Sequence, residues 1–576
     1  MRNQNIAKIF NEIGDILEIK GDNPFRIRAY RRAAQNIDGL AKDVAEMSLE
    51  DLRKVPGIGA DLAEKIQEYV KTGALRFYDA LKNEVPSGLV DLLSVPGLGP
   101  KTAKILFDKL HIKDIDDLEK HAKDGTLKVL PGIQAKTEEN ILKGIAMIKK
   151  QTGRFPIGRV LPVAEEIAEQ LRGKSIMNKL SIAGSLRRWK DTIKDIDILA
   201  TSKDPWKAME AFIHLPQVKE VLMKGPTKSS IVTREGIQVD FRVVGEDSFG
   251  AALAYFTGSK QHNIRLREMA VKRGLKINEY GIFDVKTDRK LGGRHEGDIY
   301  KLLDMPYIEP ELREDTGEIE AALKGILPSL VKMEDIKGDL HVHSNYSDGS
   351  HDLQELVDAA KARGYRYLAI TDHSKGLGIA RGLSIDQVLE QNKRIKALDK
   401  KLKGFKILSG TEMDIRSDGS LDYPDDVLER FDIVIASIHS GFRQSREQIT
   451  KRLVSAMQNP YVSIIAHPTG RIIGERDAYD VDMEAILKAA AETGTAMEIN
   501  AYPFRLDLND IFSRKAKEMG VLLTINTDTH VTYQFDFMTY GIGTARRGWV
   551  DKKGVLNALG YNALIKRLKH KRSGNK

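Results

Sequence analysis

Gly184-Ser185-Leu186-Arg187-Arg188, followed by Lys194-Asp195-Ile196-Asp197-Ile198-Leu199, is the stretch on which the reading of this chain turns. A β-strand alternates its side chains, so Asp195 and Asp197 share one face while Ile196 and Ile198 point into a core. Two carboxylates fixed side by side repel each other unless a cation lies between them. Mg²⁺ suits that place, because it takes one or two carboxylates and completes its shell with phosphate oxygens. Just upstream, a Gly184-Ser185 turn and the Arg188 guanidinium can hold a phosphate chain against such a metal. A lone Asp-x-Asp is commonly a solvated strand end, but the joint spacing of Gly-Ser, Arg and Asp-x-Asp argues for a site. Asp240, in Gln238-Val239-Asp240-Phe241-Arg242, offers the third acid that a two-metal site needs.

At 576 residues the chain exceeds a single hydrophobic core, and three to five domains are expected. Hydrophobic content of 41% and charged content of 30% describe globular, soluble material. No apolar run approaches the ~20 residues of a membrane span, and the start lacks a signal peptide's apolar segment. The expectation is a cytoplasmic protein without membrane association. With no cysteine, any transition metal must be held by His, Asp and Glu. A net charge of +9 favours a polyanionic partner without specifying one. The basic end, Lys566 to Arg572, reads as a solvated tail.

Three similar turns recur near the start: Val55-Pro56-Gly57-Ile58-Gly59, Val95-Pro96-Gly97-Leu98-Gly99 and Leu130-Pro131-Gly132-Ile133-Gln134. Each precedes helix-forming sequence, and the pattern resembles the helix-hairpin-helix motif. Its glycines let backbone N–H groups and a helix N-terminus meet a phosphate, which reads the DNA backbone without sequence information. Gly57, Gly59, Gly97 and Gly99 are the candidate DNA contacts; Gln134 replaces the second glycine of the third copy. Arg28, Arg31 and Arg32, with Tyr30 nearby, are spaced to line one side of a helix and suit a strand-end phosphate.

Further on, Tyr255-Phe256-Thr257-Gly258-Ser259-Lys260-Gln261-His262-Asn263, with Arg267 and Ile277-Asn278-Glu279-Tyr280 after it, makes the resemblance specific. From the first glycine turn to about residue 315 the chain resembles the family X DNA polymerases. The resemblance implies that Asp195, Asp197 and Asp240 bind the catalytic metals, Mg²⁺ with Mn²⁺ as a substitute. It implies that Ser185, Arg188 and the Gly184 turn hold the incoming deoxynucleoside triphosphate, assisted by Arg154. Tyr255 and Phe256 would lie against the sugar, Gly258 would let the backbone approach it, Asn263 would bond the base edge, and Arg267 would contact the template. Lys260 departs from the family's acidic residue. Lys65 falls on the family's deoxyribose-phosphate lyase lysine, but Asp61 replaces a basic neighbour. Positive surroundings lower a lysine's pKa and an Asp opposes that, so a phosphate-binding Lys65 is the preferred expectation.

Beyond an acidic stretch from Glu309 to Glu320, read as a surface connector or as a cover on part of the next domain, apolar strand-like runs repeatedly end in potential metal ligands. Strands alternating with helices imply a parallel sheet, and about seven such units imply a barrel whose function collects at the strand C-termini. Six histidines and three acids fall there: His341, His343, Asp348, His373, Glu412, His439, His467, Asp528 and His530. A single one would be an ordinary core histidine; nine leave that reading little room. The pattern resembles the polymerase and histidinol phosphatase (PHP) family and implies a trinuclear cluster of Zn²⁺ or Mn²⁺ performing phosphoester hydrolysis. Arg381, Arg443, Arg471 and Arg505 follow strand ends and are candidate grips for DNA phosphates.

The expected fold is therefore multi-domain α/β: helical helix-hairpin-helix domains, a nucleotidyltransferase palm with thumb, and a C-terminal distorted (β/α)₇ PHP barrel. Expected segments are a DNA-end-binding domain at 1–83, fingers at 84–150, palm at 151–250, thumb at 251–315, linker at 316–337, PHP domain at 338–570 and basic tail at 571–576. The expected function is gap-filling DNA synthesis in repair with a metal-dependent 3′–5′ exonuclease, and abasic-site cleavage as a family-implied addition. Partners would be gapped or primed DNA and deoxynucleoside triphosphates, with monomer as the default state. The competing expectations are a fused small-molecule phosphoesterase and a DNA-binding scaffold with one inert half.

Overall fold

In the computed structural model the chain forms two compact units, residues 1–152 and 153–576. Residues 2–38, 44–55, 57–85, 98–130 and 153–573 are described, with positions 89, 92–95, 137–138, 141–142 and 145 between them. Gly97, and the third turn from Pro131 to Gln134, lie outside the described residues.

The first unit is helical, with Ile6, Phe10, Ile13, Tyr30 and Ala33 of its two leading helices in one core. Its two glycine turns have the same construction. Ile58 N–H donates to the Val55 carbonyl and Ala63 N–H to that of Gly59, at 3.0 and 2.9 Å; Leu98 with Val95 and Ala103 with Gly99 repeat this at 3.0 Å each. Gly57 has a φ of +80°, which favours glycine, while Gly59 and Gly99 cap helices Ala60–Thr72 and Pro100–Leu110 with open space around them. Of the expected arginine stripe, Arg28 and Arg32 are exposed but Arg31 is not free. Arg31 is held by Asp15 and Glu18 at 2.9 and 2.5 Å, and Tyr30 is buried, because the helix packs that side against Arg2–Lys20.

The second unit opens with a five-stranded sheet in the order Met177–Ile182, Asp195–Ser202, Gln238–Val243, Lys228–Thr233, Val218–Lys224. Only the pair Asp195–Ser202 and Gln238–Val243 is parallel within it. Helices Ile157–Gly173 and Pro205–Ile213 cover its apolar face through Val160, Ala164, Ile167 and Phe212. Helices Phe249–Thr257 and Lys260–Lys272 and a three-stranded sheet over residues 275–292 follow.

Seven parallel strands then run in chain order: Gly338–Asp339, Tyr367–Ile370, Lys406–Asp414, Ile433–Ser437, Val462–Ile465, Ala496–Asn500 and Leu523–Asn526. The ring closes past the last strand, where His343 N–H donates to the Thr529 carbonyl at 2.8 Å and Val342 bridges Thr529. This is the expected distorted seven-stranded barrel.

The acidic stretch is a joint, not a surface connector. Glu311 pairs with Arg546 at 2.6 Å, and Glu314 takes both Arg188 (3.0 Å) and Arg547 (2.9 Å). Glu318 is fully buried against His262 at 2.7 Å, and helix Glu318–Leu323 lies within the expected linker. Arg471, expected at DNA, instead bonds Asp191 at 3.1 Å and the Arg505 and Leu506 carbonyls at 2.7 Å each. Close packing completes the joint: a Cβ on Gly543 would sit 2.5 Å from the Trp189 ring, and one on Gly158 would sit 2.5 Å from Pro503. The basic end is also ordered. Helix Tyr561–Ser573 buries Leu564 and Leu568 under the barrel. Lys571 and Arg572 donate to carbonyls at Met457 and Phe431, at 3.1 and 2.7 Å.

Arg547 is the centre of this joint, since it also holds Asp510 at 2.7 Å and the Arg188 carbonyl at 2.7 Å. Arg547→Ala leaves two half-buried carboxylates without their shared cation, and should cost roughly 3 kcal/mol. The full chain's melting temperature reads the loss, and Arg547→Lys should recover part of it.

Candidate active sites

The first site is built by strand register. Asp197 stands directly opposite Asp240 on the neighbouring parallel strand, and Asp195 is two residues along on the same face. Gly184, with a φ of +66°, starts the short helical turn Gly184–Arg187 against them; a Cβ there would collide with Asp197 Oδ2. Ala183 N–H donates to the Asp197 carbonyl at 2.8 Å, which fixes that turn to the acid-bearing strand. Burial, then the charges of Asp195 and Asp240, push the Asp197 carboxyl up to about 7. Asp240 goes the other way. Burial raises it, but hydrogen bonds from Gln238 (3.0 Å) and Ser230 (2.8 Å) and the Lys228 ammonium at 3.1 Å outweigh this and hold it below the usual range.

The remaining candidates fall into separate local groups. Arg188 donates to the Thr257 carbonyl and pairs with Glu314, and a Cβ on Gly258 would come within 3.1 Å of its guanidinium. Ser185 is half-buried in the Gly184 turn. Tyr255 and Phe256 meet edge-on at 5.1 Å, and Arg242 lies 4.5 Å from the Phe256 ring. Asn263 is tied to the Tyr255 carbonyl at 2.8 Å, and exposed Arg267 to the Asn263 carbonyl at 3.2 Å. Arg154 is anchored on Thr192, whose hydroxyl it meets at 3.1 Å. Lys65, in the first unit, pairs with Asp61 one helical turn away and lies 5.1 Å over the Phe77 ring.

The second site lies at the C-terminal rim of the barrel strands. Donor atoms gather in three groups: His343, Asp348, His373 and His530; His341, His343 and Asp528; and His373, Glu412 and His439. His467 joins through Glu412, at 2.9 Å. The imidazoles are crowded, with His343 stacked 4.4 Å from His373 and 4.2 Å from His530. Burial, then the charges of His530 and His373, push His343 down to about 3, so it is a neutral donor. Glu412 is held well below its ordinary range: burial opposes this, but His373, His341 and His439 prevail. Nδ1 of His343 and of His467 is buried with no hydrogen-bond partner among the described residues, while His341 Nε2, His343 Nε2 and His373 Nδ1 crowd carboxylate oxygens at 3.3, 3.2 and 2.9 Å. Nitrogens so placed are costly unless a cation takes their lone pairs, so this donor set fits metal ions.

Family models match residues 1–75 (helix-hairpin-helix domain), 89–146 (SAM-like helix-hairpin-helix tandem), 252–314 (DNA polymerase beta thumb) and 339–502 (PHP domain). DNA polymerase/3′-5′ exonuclease PolX of Bacillus subtilis (strain 168) is 42% identical over 97% of this chain and 98% of its own length. The chain belongs to the family X DNA polymerases with a C-terminal PHP domain. Probable phosphatases of Thermoanaerobacter sp. (strain X514) and Caldanaerobacter subterraneus subsp. tengcongensis match part of the chain, at 31% and 33% identity over 38% and 34% of it. They cover 89% and 76% of those proteins. Members of this family depend on divalent metals and act on DNA. Asp528 and His530 lie beyond the matched PHP segment, yet the fold returns them to the same rim.

Sequence reading missed the residues behind the ligands. Glu498, read only as part of a strand, accepts from His341 Nδ1 at 2.8 Å, His467 N–H at 2.9 Å and Asn526 at 2.9 Å. Asp339 sits two residues before His341 and accepts from its N–H at 3.1 Å and from the Thr527 hydroxyl at 2.6 Å. Asp372 gathers Ser344, Ser347 and Gln391. The available signal was a carboxylate inside an otherwise apolar run, as in Ala496-Met497-Glu498-Ile499.

Two outcomes are expected. Glu498→Gln presents an N–H where either His341 or His467 needs an acceptor, and should weaken barrel metal retention about tenfold or more, read as bound metal after dialysis. In the palm, proton and cation compete for Asp197. As pH falls below about 7 the proton wins, so half-saturating Mg²⁺ for nucleotide addition should rise toward tenfold per pH unit; a flat profile from pH 8 to 6 would contradict this.

Proposed function

We propose that this chain fills short gaps during DNA repair and trims DNA from the 3′ end, at two separate sites. What carries the reading is two complete ionisable sets in one compact unit, three facing carboxylates in the palm and nine donors at the barrel rim. Asp195, Asp197 and Asp240 would hold Mg²⁺, with Mn²⁺ as a substitute, since all the donors are carboxylate oxygens. His341, His343, Asp348, His373, Glu412, His439, His467, Asp528 and His530 would hold Zn²⁺ or Mn²⁺, nine donors suiting three ions. When bound, such ions neutralise phosphate oxygens and activate the attacking oxygen of an in-line displacement.

The chain's own residues do the rest. The Gly184 turn and the Ser185 hydroxyl meet the deoxynucleoside triphosphate, and Arg188 exchanges its Glu314 carboxylate for a phosphate. Arg154 braces the same phosphates from its seat on Thr192. Tyr255 and Phe256 lie against the sugar, which Gly258 allows to come close; Asn263 meets the base edge and Arg267 the template. Backbone N–H groups at Gly57, Gly59, Gly97 and Gly99 hold the DNA backbone. The Asp61 ion pair supports a phosphate-binding Lys65 over a lyase nucleophile. Abasic-site cleavage would fall to the barrel.

Single substitutions separate the two sites. On gapped, end-labelled DNA, Asp240→Ala should abolish extension while shortening persists, and His343→Ala should do the reverse. Normal extension by Asp240→Ala would sink the palm assignment. A barrel that hydrolysed sugar or amino-alcohol phosphates far faster than a DNA 3′ end would sink the exonuclease in favour of a phosphatase.

A further inference from the structure

A run of aromatic rings joins the two sites. Trp189, next to Arg188, meets Tyr540 edge-on at 6.0 Å; Tyr540 meets Phe537 at 6.1 Å; Phe537 meets Tyr502 at 5.9 Å and Tyr533 at 6.0 Å; Tyr502 meets Phe504 at 5.7 Å. The first two belong to the joint, since Gly543 packs on Trp189. The outer four have another setting. Tyr502 and Phe504 follow the strand Ala496–Asn500, whose Asn500 bonds Asp528 at 3.1 Å, and Tyr533 and Phe537 follow His530. All four are half-buried, Tyr502 and Phe504 on the loop after that strand and Tyr533 and Phe537 in the short 3-10 helix Thr532–Phe537 after His530. A core would bury such rings fully, and a plain surface would not gather them.

Arg505 supplies the second observation. Its guanidinium is within 4.0 Å of Asp528, and its Nη1 is buried without a hydrogen-bond partner among the described residues. A buried guanidinium N–H without a partner, on the loop that carries Tyr502 and Phe504, suits one ligand chemistry, a nucleobase stack with its phosphate. We propose that Tyr502, Phe504, Tyr533 and Phe537 form a stacking platform for the last bases of an unpaired DNA 3′ end, with Arg505 receiving a backbone phosphate. The platform deepens the exonuclease reading and rests on it. Such a platform would capture a frayed end independently of its sequence, since every base offers a π-face.

The test uses the full chain. In chelator, so that nothing is cleaved, single-stranded DNA with 5-iododeoxyuridine two nucleotides from its 3′ end is irradiated; crosslinks should map to Tyr502, Phe504, Tyr533 or Phe537. With metal, shortening of that sequence is compared with a strand whose last three residues lack bases. Wild type should prefer the normal end about tenfold in kcat/KM, through KM. The preference should fall toward one in the Tyr502→Ala/Phe504→Ala variant and persist in Tyr502→Phe. An undiminished preference in the double variant, or crosslinks only elsewhere, overturns the platform. If wild type shortens neither strand, the exonuclease reading fails, and the crosslink map alone decides whether the platform binds DNA.

Discussion

Both sites depend on one constraint, the register of parallel strands. Neighbouring parallel strands bring equivalent positions to the same height, so ionisable groups on one face meet without any loop to hold them. In the palm this sets Asp197 against Asp240. In the barrel it aligns Asp339, His341 and His343 along one edge and brings Glu412 and Glu498 to the same rim. Burial, reinforced by the crowding of like groups, pushes the Asp197 carboxyl up and the His343 imidazole down. A cation relieves both.

This explains what the sequence could disclose. Ligands at strand ends are legible because the period-2 alternation and the break in an apolar run are local features, so Asp195, Asp197 and the His-x-His at 341–343 could be placed from spacing alone. Contacts that cross between elements leave no such local trace. Nothing in Glu309 to Glu320 distinguishes a solvated acidic linker from a row of partners for Arg188, Arg546 and Arg547, because those arginines lie over a hundred positions away in either direction. Arg471 was misread for the same reason: an arginine after a strand end suits a phosphate or an aspartate equally well, and Asp191 took it. The basic C-terminal helix looked solvated because its two buried leucines are few among many charges.

The palm–barrel joint has a mixed character that bears on how the two sites coexist. Its apolar part, with Leu506 and Tyr540 packed on the palm core, fixes position. Its polar part runs through groups that also serve the proposed chemistry: Glu314 neutralises Arg188, which on that proposal turns to a triphosphate, and Arg547 holds both Glu314 and the Arg188 carbonyl. Removing Arg188 from Glu314 does not strand that carboxylate, since Arg547 stays beside it. The cost of freeing Arg188 for a nucleotide is thereby lowered by a residue that belongs to the other domain. A barrel separated from its palm would therefore take with it the countercharge on which the palm's phosphate grip depends, which gives a physical reason for the two to share one chain.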